Sequence, residues 1–293
     1  MKPIRVFRAD DLDNQTGNDS VSSYNIQLLA QGDSWFSIGA LPPWNTSNLF
    51  AGMGTSMTRA CVVNCAHPGR LLELMTNTTW EPRFRALLAG WQSQPWMGIL
   101  LSGGGNDLIK AVQQGPDFAQ PDRLLLKKSE WTNGLGGDKY ISNEGWAKFA
   151  NHMTEVVAQF LAFRDTSPAN RGIAVVMHTY DLATPRNVSP PGPWLYKAVT
   201  EFRIPEEDWK AVAVSLLARL QNLLNHIAAT TPDKSLHIIN SQGTLVPAQT
   251  SDHGATVDWE NEIHPTRAGF EKLGALWLPT LDALFDASNA GHR

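Results

Sequence analysis

Short apolar runs separated by amphipathic stretches dominate the hydrophobic pattern of this chain. Runs rich in Val, Ile and Leu have the length and composition of buried strands. There are five of them: Asn25–Ala30, Ala60–Asn64, Met97–Leu101, Ile173–His178 and Leu236–Asn240. Elsewhere apolar residues recur every three or four positions, as in a helix with one buried face. We therefore expect long helices over 145–164, Glu206–Thr230 and Thr266–Phe285 (Pro265 at the first position of the last), and shorter helices over 69–76 and 81–90.

Strands that alternate with helices predict an α/β fold with a parallel sheet covered on both faces. The 293 residues contain no internal repeat and no linker, so we predict one domain, 1–293. Two segments, 107–144 and 180–205, are longer than ordinary connections. Both follow the carboxyl ends of predicted strands, where open α/β sheets bind ligands. They are either surface decoration or the walls and lids of a substrate pocket.

Composition narrows the classes of partner. The net charge is −4, from 24 basic and 28 acidic residues, and no basic run indicates a nucleic-acid partner. No stretch approaches the ~20 apolar residues of a transmembrane helix. Cys61 and Cys65 are roughly 13 Å apart if they share a strand, too far for a disulfide. The first residues lack the apolar core of a secretory signal, so we expect a cytoplasmic location.

Ser34 follows the first predicted strand directly, in the stretch LLAQGDSWFS. A serine hydroxyl is a weak nucleophile that needs a base to accept its proton. It also needs hydrogen-bond donors for the oxyanion that forms when it attacks a carbonyl group. The neighbouring Asp33 is expected to hold the turn, with its side chain directed away from that of Ser34.

Donors follow the second and third predicted strands. Gly69 closes a turn ahead of a predicted helix, which leaves its N–H free of helix hydrogen bonds. Three consecutive glycines, 103–105, allow a sharp turn that presents Asn106, whose amide group is a good oxyanion donor. Each feature alone also fits an ordinary turn at the end of a strand. A phosphate-binding loop fits poorly, because no Gly-Lys-Ser/Thr follows.

His264 is the candidate base. It precedes Pro265, which favours an extended backbone at the entrance of the last helix, so the ring can face the sheet edge. Three other histidines lie in strand or helix patterns and are expected to be structural: His178, His226 and His237. His67 is close to Gly69 and could line the site, whereas His253 lies in a polar loop.

Four short blocks now occur in order, each after a predicted strand or before the last helix. They are Gly32-Asp33-Ser34, Asn64…Gly69, Gly104-x-Asn106-Asp107 and His264-Pro265. Together they resemble the GDSL-type, or SGNH, hydrolase family. The resemblance implies a flavodoxin-like three-layer α/β/α fold with a five-stranded parallel sheet. It also implies Ser34 as nucleophile, His264 as general base, and an oxyanion hole made by the Ser34 amide, the Gly69 amide and the Asn106 side chain. An α/β-hydrolase fits poorly, because its serine lies in a Gly-x-Ser-x-Gly turn in mid-chain.

One position departs from the family pattern. The family has an aspartate three residues before the histidine, and here Asn261 stands there. Three accounts remain open. Asp258, Glu260 or Glu262 supplies the carboxylate, with Asp258 favoured because Glu262 flanks the motif on the alternate side of an extended segment. Otherwise a Ser–His dyad works with Asn261 or a backbone carbonyl as its orienter, or the enzyme is slow or inactive.

The resemblance implies a carboxylic ester as substrate: an acyl ester of a lipid, a small alcohol or an acetylated sugar. Tryptophans near the site in sequence (Trp35, Trp44 and Trp259) either pack in the core or form an apolar wall, and residues 39–54 are expected to rim the pocket. No metal-binding motif occurs, so we expect no metal and no cofactor. The competing class is a binding protein of the same fold, which holds a ligand or partner with its Trp-rich loops.

Overall fold

A parallel six-stranded sheet forms the centre of the molecule in the computed structural model, which describes residues 1–14, 19–37, 47–190 and 192–286. The strands of the described chain are β1 (Lys2–Pro3), β2 (Arg5–Arg8), β3 (Ile26–Gly32), β4 (Gly54–Thr55), β5 (Ala60–Asn64), β6 (Gly98–Ser102), β7 (Ala174–His178) and β8 (Leu236–Ile239). The sheet has the order β2-β5-β3-β6-β7-β8, while β1 and β4 pair separately and antiparallel. Every residue of β6 is buried, as in a strand covered on both faces.

The predicted α/β class and the five predicted strands are confirmed, and the strand count is one too low. The additional strand, β2, pairs in parallel with β5 at one edge of the sheet. Its sequence, Arg-Val-Phe-Arg, has only two apolar residues, and only Phe7 is buried. An edge strand with so little apolar content lacks the continuous apolar run by which the inner strands are recognised.

The α-helices of the described chain are α1 (Ser34–Ser37), α2 (Pro82–Ala89), α3 (Gly105–Val112), α4 (Asn143–Asp165), α5 (Leu195–Glu201), α6 (Trp209–Thr230), α7 (Arg267–Ala275) and α8 (Leu278–Leu281). Helices α4 and α6 lie where the three- and four-residue spacing predicts them. In α6 the whole predicted stripe is buried, from Trp209 to Ile227. The segment 69–76, predicted as a helix, contains only a 3-10 turn over Leu72–Leu74.

The prediction for the last helix is wrong in two respects. The segment forms α7, α8 and a π-helical turn over Asp282–Asp286 rather than one continuous helix. Pro265 is not the first helical residue: Thr266 is the N-cap, and its hydroxyl accepts a hydrogen bond from the N–H of Gly269 at 3.2 Å. A threonine hydroxyl satisfies an otherwise unpaired first-turn N–H, which places the helix start after it.

The sheet order places the ends of β5, β3 and β6 side by side. Ala30 pairs with Asn64, and Gly32 pairs with Ser102. The loops that leave these strands therefore begin at one edge of the sheet, and they carry Ser34, Gly69 and Asn106. The two long segments contain structure of their own: most of α3 and several 3-10 turns in 107–144, and α5 in 180–205.

Candidate active site

Ser34 is the first residue of α1, directly beyond β3. The N–H of Asp33 donates to the carbonyl of Ser102 at 3.0 Å, and the N–H of Trp35 donates to Oδ1 of Asp33 at 3.0 Å. The Asp33 carboxylate thus caps the turn that begins α1, as expected of this residue. Both hydrogen bonds fix the backbone on either side of Ser34, whose side chain is buried but lines a pocket.

His264 contacts Ser34 directly. The Nε2 atom of His264 and Oγ of Ser34 are 2.9 Å apart, a hydrogen-bond distance. The indole N–H of Trp35 donates to the carbonyl of Ile263 at 3.2 Å, which ties the histidine loop to α1. Burial lowers the pKa of His264 to about 4, so the ring is a neutral imidazole at neutral pH and can accept a proton.

Asn261 determines which nitrogen of His264 carries the proton. Its Oδ1 accepts hydrogen bonds from the backbone N–H groups of Ile263 at 3.1 Å and His264 at 2.9 Å. Because both partners are donors, the atom that faces them is the amide oxygen. The same Oδ1 lies 3.1 Å from Nδ1 of His264. Nδ1 therefore carries the hydrogen, and Nε2 presents its lone pair to the hydroxyl of Ser34.

The structure does not bring the favoured carboxylate, Asp258, to the histidine. Both carboxylate oxygens of the buried Asp258 lie 2.7 Å from Nζ of Lys272, and one accepts the N–H of Val246 at 2.8 Å. The prediction that Asp258 replaces the missing aspartate therefore does not fit these contacts. Physically, a carboxylate buried to this depth requires a charged partner, and Lys272 provides it from α7.

The two glutamates of the same loop also lie away from the imidazole nitrogens. Glu262 is buried and accepts the backbone N–H groups at the start of α5, those of Leu195 at 2.8 Å and Tyr196 at 2.6 Å, together with those of Trp194 and Arg186. Glu260 is exposed. Within the described residues, Asn261 alone forms a side-chain hydrogen bond with Nδ1 of His264.

Gly69 lies between two anchored residues. On one side, the N–H of His67 donates to the carbonyl of Gly32 at 3.0 Å, and on the other, Nδ2 of Asn106 donates to the carbonyl of Arg70 at 3.2 Å. Gly69 has a φ of +74°, which a residue with a side chain rarely adopts. The loop is thus held between the end of the nucleophile's strand and α3.

Three N–H donors are available at this edge. Within the described part of the chain, the backbone amides of Ser34 and Gly69 have no acceptor. The Asn106 side chain uses one amide hydrogen on Arg70 and has a second. Gly104, at φ +99°, is the N-cap of α3 and sets the turn that leads to Asn106. Unpaired donors beside a serine and a neutral histidine suit a site where negative charge develops on oxygen.

Sequence reasoning missed a second polar cluster beneath Ser34. Oγ of Ser102 lies 2.7 Å from Oδ1 of Asp33 and 2.8 Å from Nε2 of His178, and the hydroxyl of Tyr180 donates to Oδ2 of Asp33. All four residues are buried. Burial raises the pKa of Asp33 to about 6 and lowers that of His178 to about 3. The sequence signal for this cluster was a serine at the end of β6, Ser102, and a histidine at the end of the neighbouring strand β7, His178.

The tryptophans named from the sequence lie in different places. Trp35 lines the pocket and stacks on His178 with ring centroids 5.2 Å apart, whereas Trp259 is a buried core residue. Trp44 and half of the predicted rim 39–54, namely 39–46, lie outside the described residues. Trp194, not singled out from the sequence, packs edge-on against His264 at 5.5 Å. His67 is half-exposed and contacts the buried Glu81 at 3.3 Å.

Metal-binding groups and membrane-spanning helices were sought among the described residues. Among the described residues, no group of three or more His, Cys, Asp or Glu side chains is arranged to hold a metal ion. In the same part of the chain, no helix combines the length and apolar character needed to cross a bilayer.

Comparisons with known proteins give matches among solved structures. No family model matches this chain. No curated protein matches it either. An extracellular lipase from Streptomyces rimosus is 16% identical, with a TM-score of 0.48 over 88% of this chain and 99% of its own. A catalytic mutant of an acetylxylan esterase from Geobacillus stearothermophilus is 14% identical, with a TM-score of 0.47 over 89% and 94%.

A member of the lipolytic G-D-S-L family from Veillonella parvula is 12% identical, with a TM-score of 0.43 over 86% of this chain and 96% of its own. All three structures are below 20% identity to this chain and below a TM-score of 0.5. GDSL- and SGNH-type lipases and esterases are the group that the four sequence blocks of this chain resemble.

Proposed function

We propose that this protein hydrolyses carboxylic esters through an acyl-enzyme on Ser34, with His264 as general base. The observation that carries the proposal is the hydrogen-bonded chain from Ser34 Oγ to His264 Nε2 (2.9 Å) and from His264 Nδ1 to Asn261 Oδ1 (3.1 Å). A nucleophile, its base and an orienting group in contact are the arrangement required to activate a serine.

The reaction runs in two halves. Ser34 Oγ attacks the ester carbonyl carbon while its proton passes to Nε2 of His264, and the carbonyl oxygen becomes an oxyanion. The amides of Ser34 and Gly69 and the free N–H of Asn106 stabilise that oxyanion. The C–O bond to the alcohol then breaks, and the imidazolium returns its proton to the leaving alkoxide. Water, deprotonated by His264, attacks the acyl-Ser34 carbonyl, and collapse releases the acid and restores the Ser34 hydroxyl.

Asn261, in place of an aspartate, limits the kcat that this site can reach. Its oxygen holds the correct tautomer of His264, which is the main role of the third member of a serine–histidine triad. It has no charge with which to stabilise the imidazolium. In a serine protease with a Ser-His-Asp triad, replacing the aspartate by asparagine costs about 10⁴ in kcat, chiefly through the wrong tautomer. Since Oδ1 is fixed here by two backbone donors, that part of the loss is avoided, and only the missing charge remains.

The test compares two buried serines. Ser34→Ala should lower kcat for p-nitrophenyl butyrate at least 10³-fold, whereas Ser102→Ala should lower it less than tenfold, because only the Ser34 hydroxyl faces an accepting histidine nitrogen. A fluorophosphonate probe should label the wild type and Ser102→Ala but not Ser34→Ala. Activity that survives Ser34→Ala, or a wild type that neither hydrolyses esters nor takes the label, would refute the serine mechanism.

A further inference from the structure

A narrow pocket opens on Ser34, and aliphatic side chains form most of its wall. Its open space is about 40 Å³. The aliphatic lining comes from three helices and two loops: Leu108 and Ile109 of α3, Leu195 of α5, Ala213, Leu216 and Leu217 of α6, and Ala183 and Ile263. A wall of this composition binds apolar groups by removing them from water.

The polar side chains in this lining are already paired within the protein. The carboxylate of Asp181 accepts the backbone N–H groups of Leu182 at 2.7 Å, Gly243 at 2.6 Å and Leu245 at 2.7 Å. The Tyr180 hydroxyl donates to Asp33. Apart from Ser34 and Asn106, the described lining thus offers a ligand little to hydrogen-bond. A hydroxylated or charged group would lose its water there without replacement.

The position of His264 decides which half of an ester enters the pocket. The imidazolium must return its proton to the leaving oxygen, so the alcohol half has to lie beside Nε2 of His264. Among the described residues, the lining includes Ser34 and Asn106 but neither His264 nor Gly69. Ile263, next to His264 in the chain, contributes to this wall but the imidazole does not, so the half of the ester beside Nε2 lies outside the pocket. The substituent that fits in the pocket is the acyl chain.

The volume limits the length of that chain. The space within which a water-sized group can move is about 40 Å³, which suits a slender chain and leaves little room for a branched one. A methylene group is close to water in size. With the carbonyl carbon at Ser34, a short straight chain occupies the pocket, whereas an acetyl group leaves most of it empty and a long chain extends beyond it.

We infer that this protein selects esters of short straight-chain aliphatic acids through the apolar pocket between α3, α5 and α6. The inference rests on the proposed function, since it requires an acyl group on Ser34. It assigns Ala213 and Leu216 as the residues that set chain length, because both lie on the α6 wall and are buried.

The experiment measures kcat/KM for p-nitrophenyl esters from C2 to C10. The wild type should peak at C4–C5, with C2 and C10 each at least fivefold lower. Ala213→Leu should fill the pocket and lower C4 at least tenfold relative to C2. Leu216→Ala should move the peak to C6–C8. Leu220→Ala is the matched control, since Leu220 is equally buried on α6 but is outside the lining, and it should keep the wild-type profile.

Each failure has its own signature. Ser34-dependent hydrolysis with the same chain-length profile in wild type, Ala213→Leu and Leu216→Ala would overturn the pocket assignment and leave the serine mechanism intact. If Ala213→Leu does not fold, as judged by its thermal transition, Leu216→Ala decides alone. Fluorophosphonate labelling that persists in Ser34→Ala would instead contradict the proposed function.

Discussion

Two serine–histidine pairs lie at the same edge of the sheet, and they differ in the direction of their hydrogen bonds. Ser34 and His264 are 2.9 Å apart, and Ser102 and His178 are 2.8 Å apart. All four side chains are buried, and burial lowers the pKa of both histidines, to about 4 and about 3. Distance, burial and protonation alone do not tell the two pairs apart.

The partners of the other ring nitrogens separate the pairs. Nδ1 of His264 faces the oxygen of Asn261, so its Nε2 accepts the hydrogen of Ser34. Nδ1 of His178 instead accepts the backbone N–H of Tyr180 at 3.3 Å, so its Nε2 carries the hydrogen and donates to Ser102. The Ser102 hydroxyl in turn donates to Asp33. A histidine that donates to a serine cannot remove its proton, and the tautomer therefore decides which pair can act as base and nucleophile.

The largest effect that tests this comparison is removal of each histidine in turn. His264→Ala should lower kcat for a C4 ester by about 10²–10⁴, the usual contribution of a general base. His178→Asn should lower kcat less than tenfold but lower the melting temperature, because it disturbs the buried bonds to Ser102 and Tyr180. Equal losses of kcat in two folded variants would show that both pairs take part in the reaction.

A smaller effect comes from restoring the charge that the site lacks. Asn261→Asp should raise kcat about tenfold, because a carboxylate stabilises the imidazolium that forms on His264. The same negative charge favours the protonated ring and raises its pKa. In the wild type, kcat/KM should fall as pH drops through about 4, and in the variant this fall should begin at higher pH. An acid limb that stays in place would mean that position 261 does not act on His264.

The smallest effect on activity is expected at Asp258. Asp258→Asn should change kcat less than tenfold, since the carboxylate contacts Lys272 and Val246 rather than His264. It should lower the free energy of unfolding by about 1.5–3 kcal/mol, the range for a lost hydrogen bond to a charged group. Chemical denaturation and ester hydrolysis measured on the same preparation separate the two effects. A tenfold or greater loss of kcat at unchanged stability would show that Asp258 takes part in the reaction.

Local sequence patterns predict the fold and the order of the candidate site residues. The inner strands of a parallel sheet are continuous apolar runs, so they are visible without any knowledge of their neighbours. Ser34, Asn106 and His264 are predictable because each directly follows or precedes an element with such a pattern. The strand β2 is not, because its pairing with β5 depends on contacts across the chain rather than on its own composition.

Side-chain partners are less predictable than positions. Asp258 is three residues from Asn261, and the sequence alone favours it among the carboxylates of this loop as the partner of the histidine. Its actual partner, Lys272, comes from a helix that begins nine residues later, at Arg267. Likewise, the tautomer of His178 depends on one backbone N–H, that of Tyr180. Contacts of this kind can be predicted only when the backbone geometry is known.

Glu262 has a consequence for how the substrate range of such a protein can diverge. Its carboxylate joins the loop of His264 to the start of α5, which contributes Leu195 to the pocket wall. Substitutions that move α5 therefore displace His264 as well. A change of substrate preference made through that helix is expected to lower kcat. Ala213 and Leu216 on α6 have no such tie. New chain-length preferences are expected to arise on α6 first, where selection can act on the substrate without acting on the chemistry.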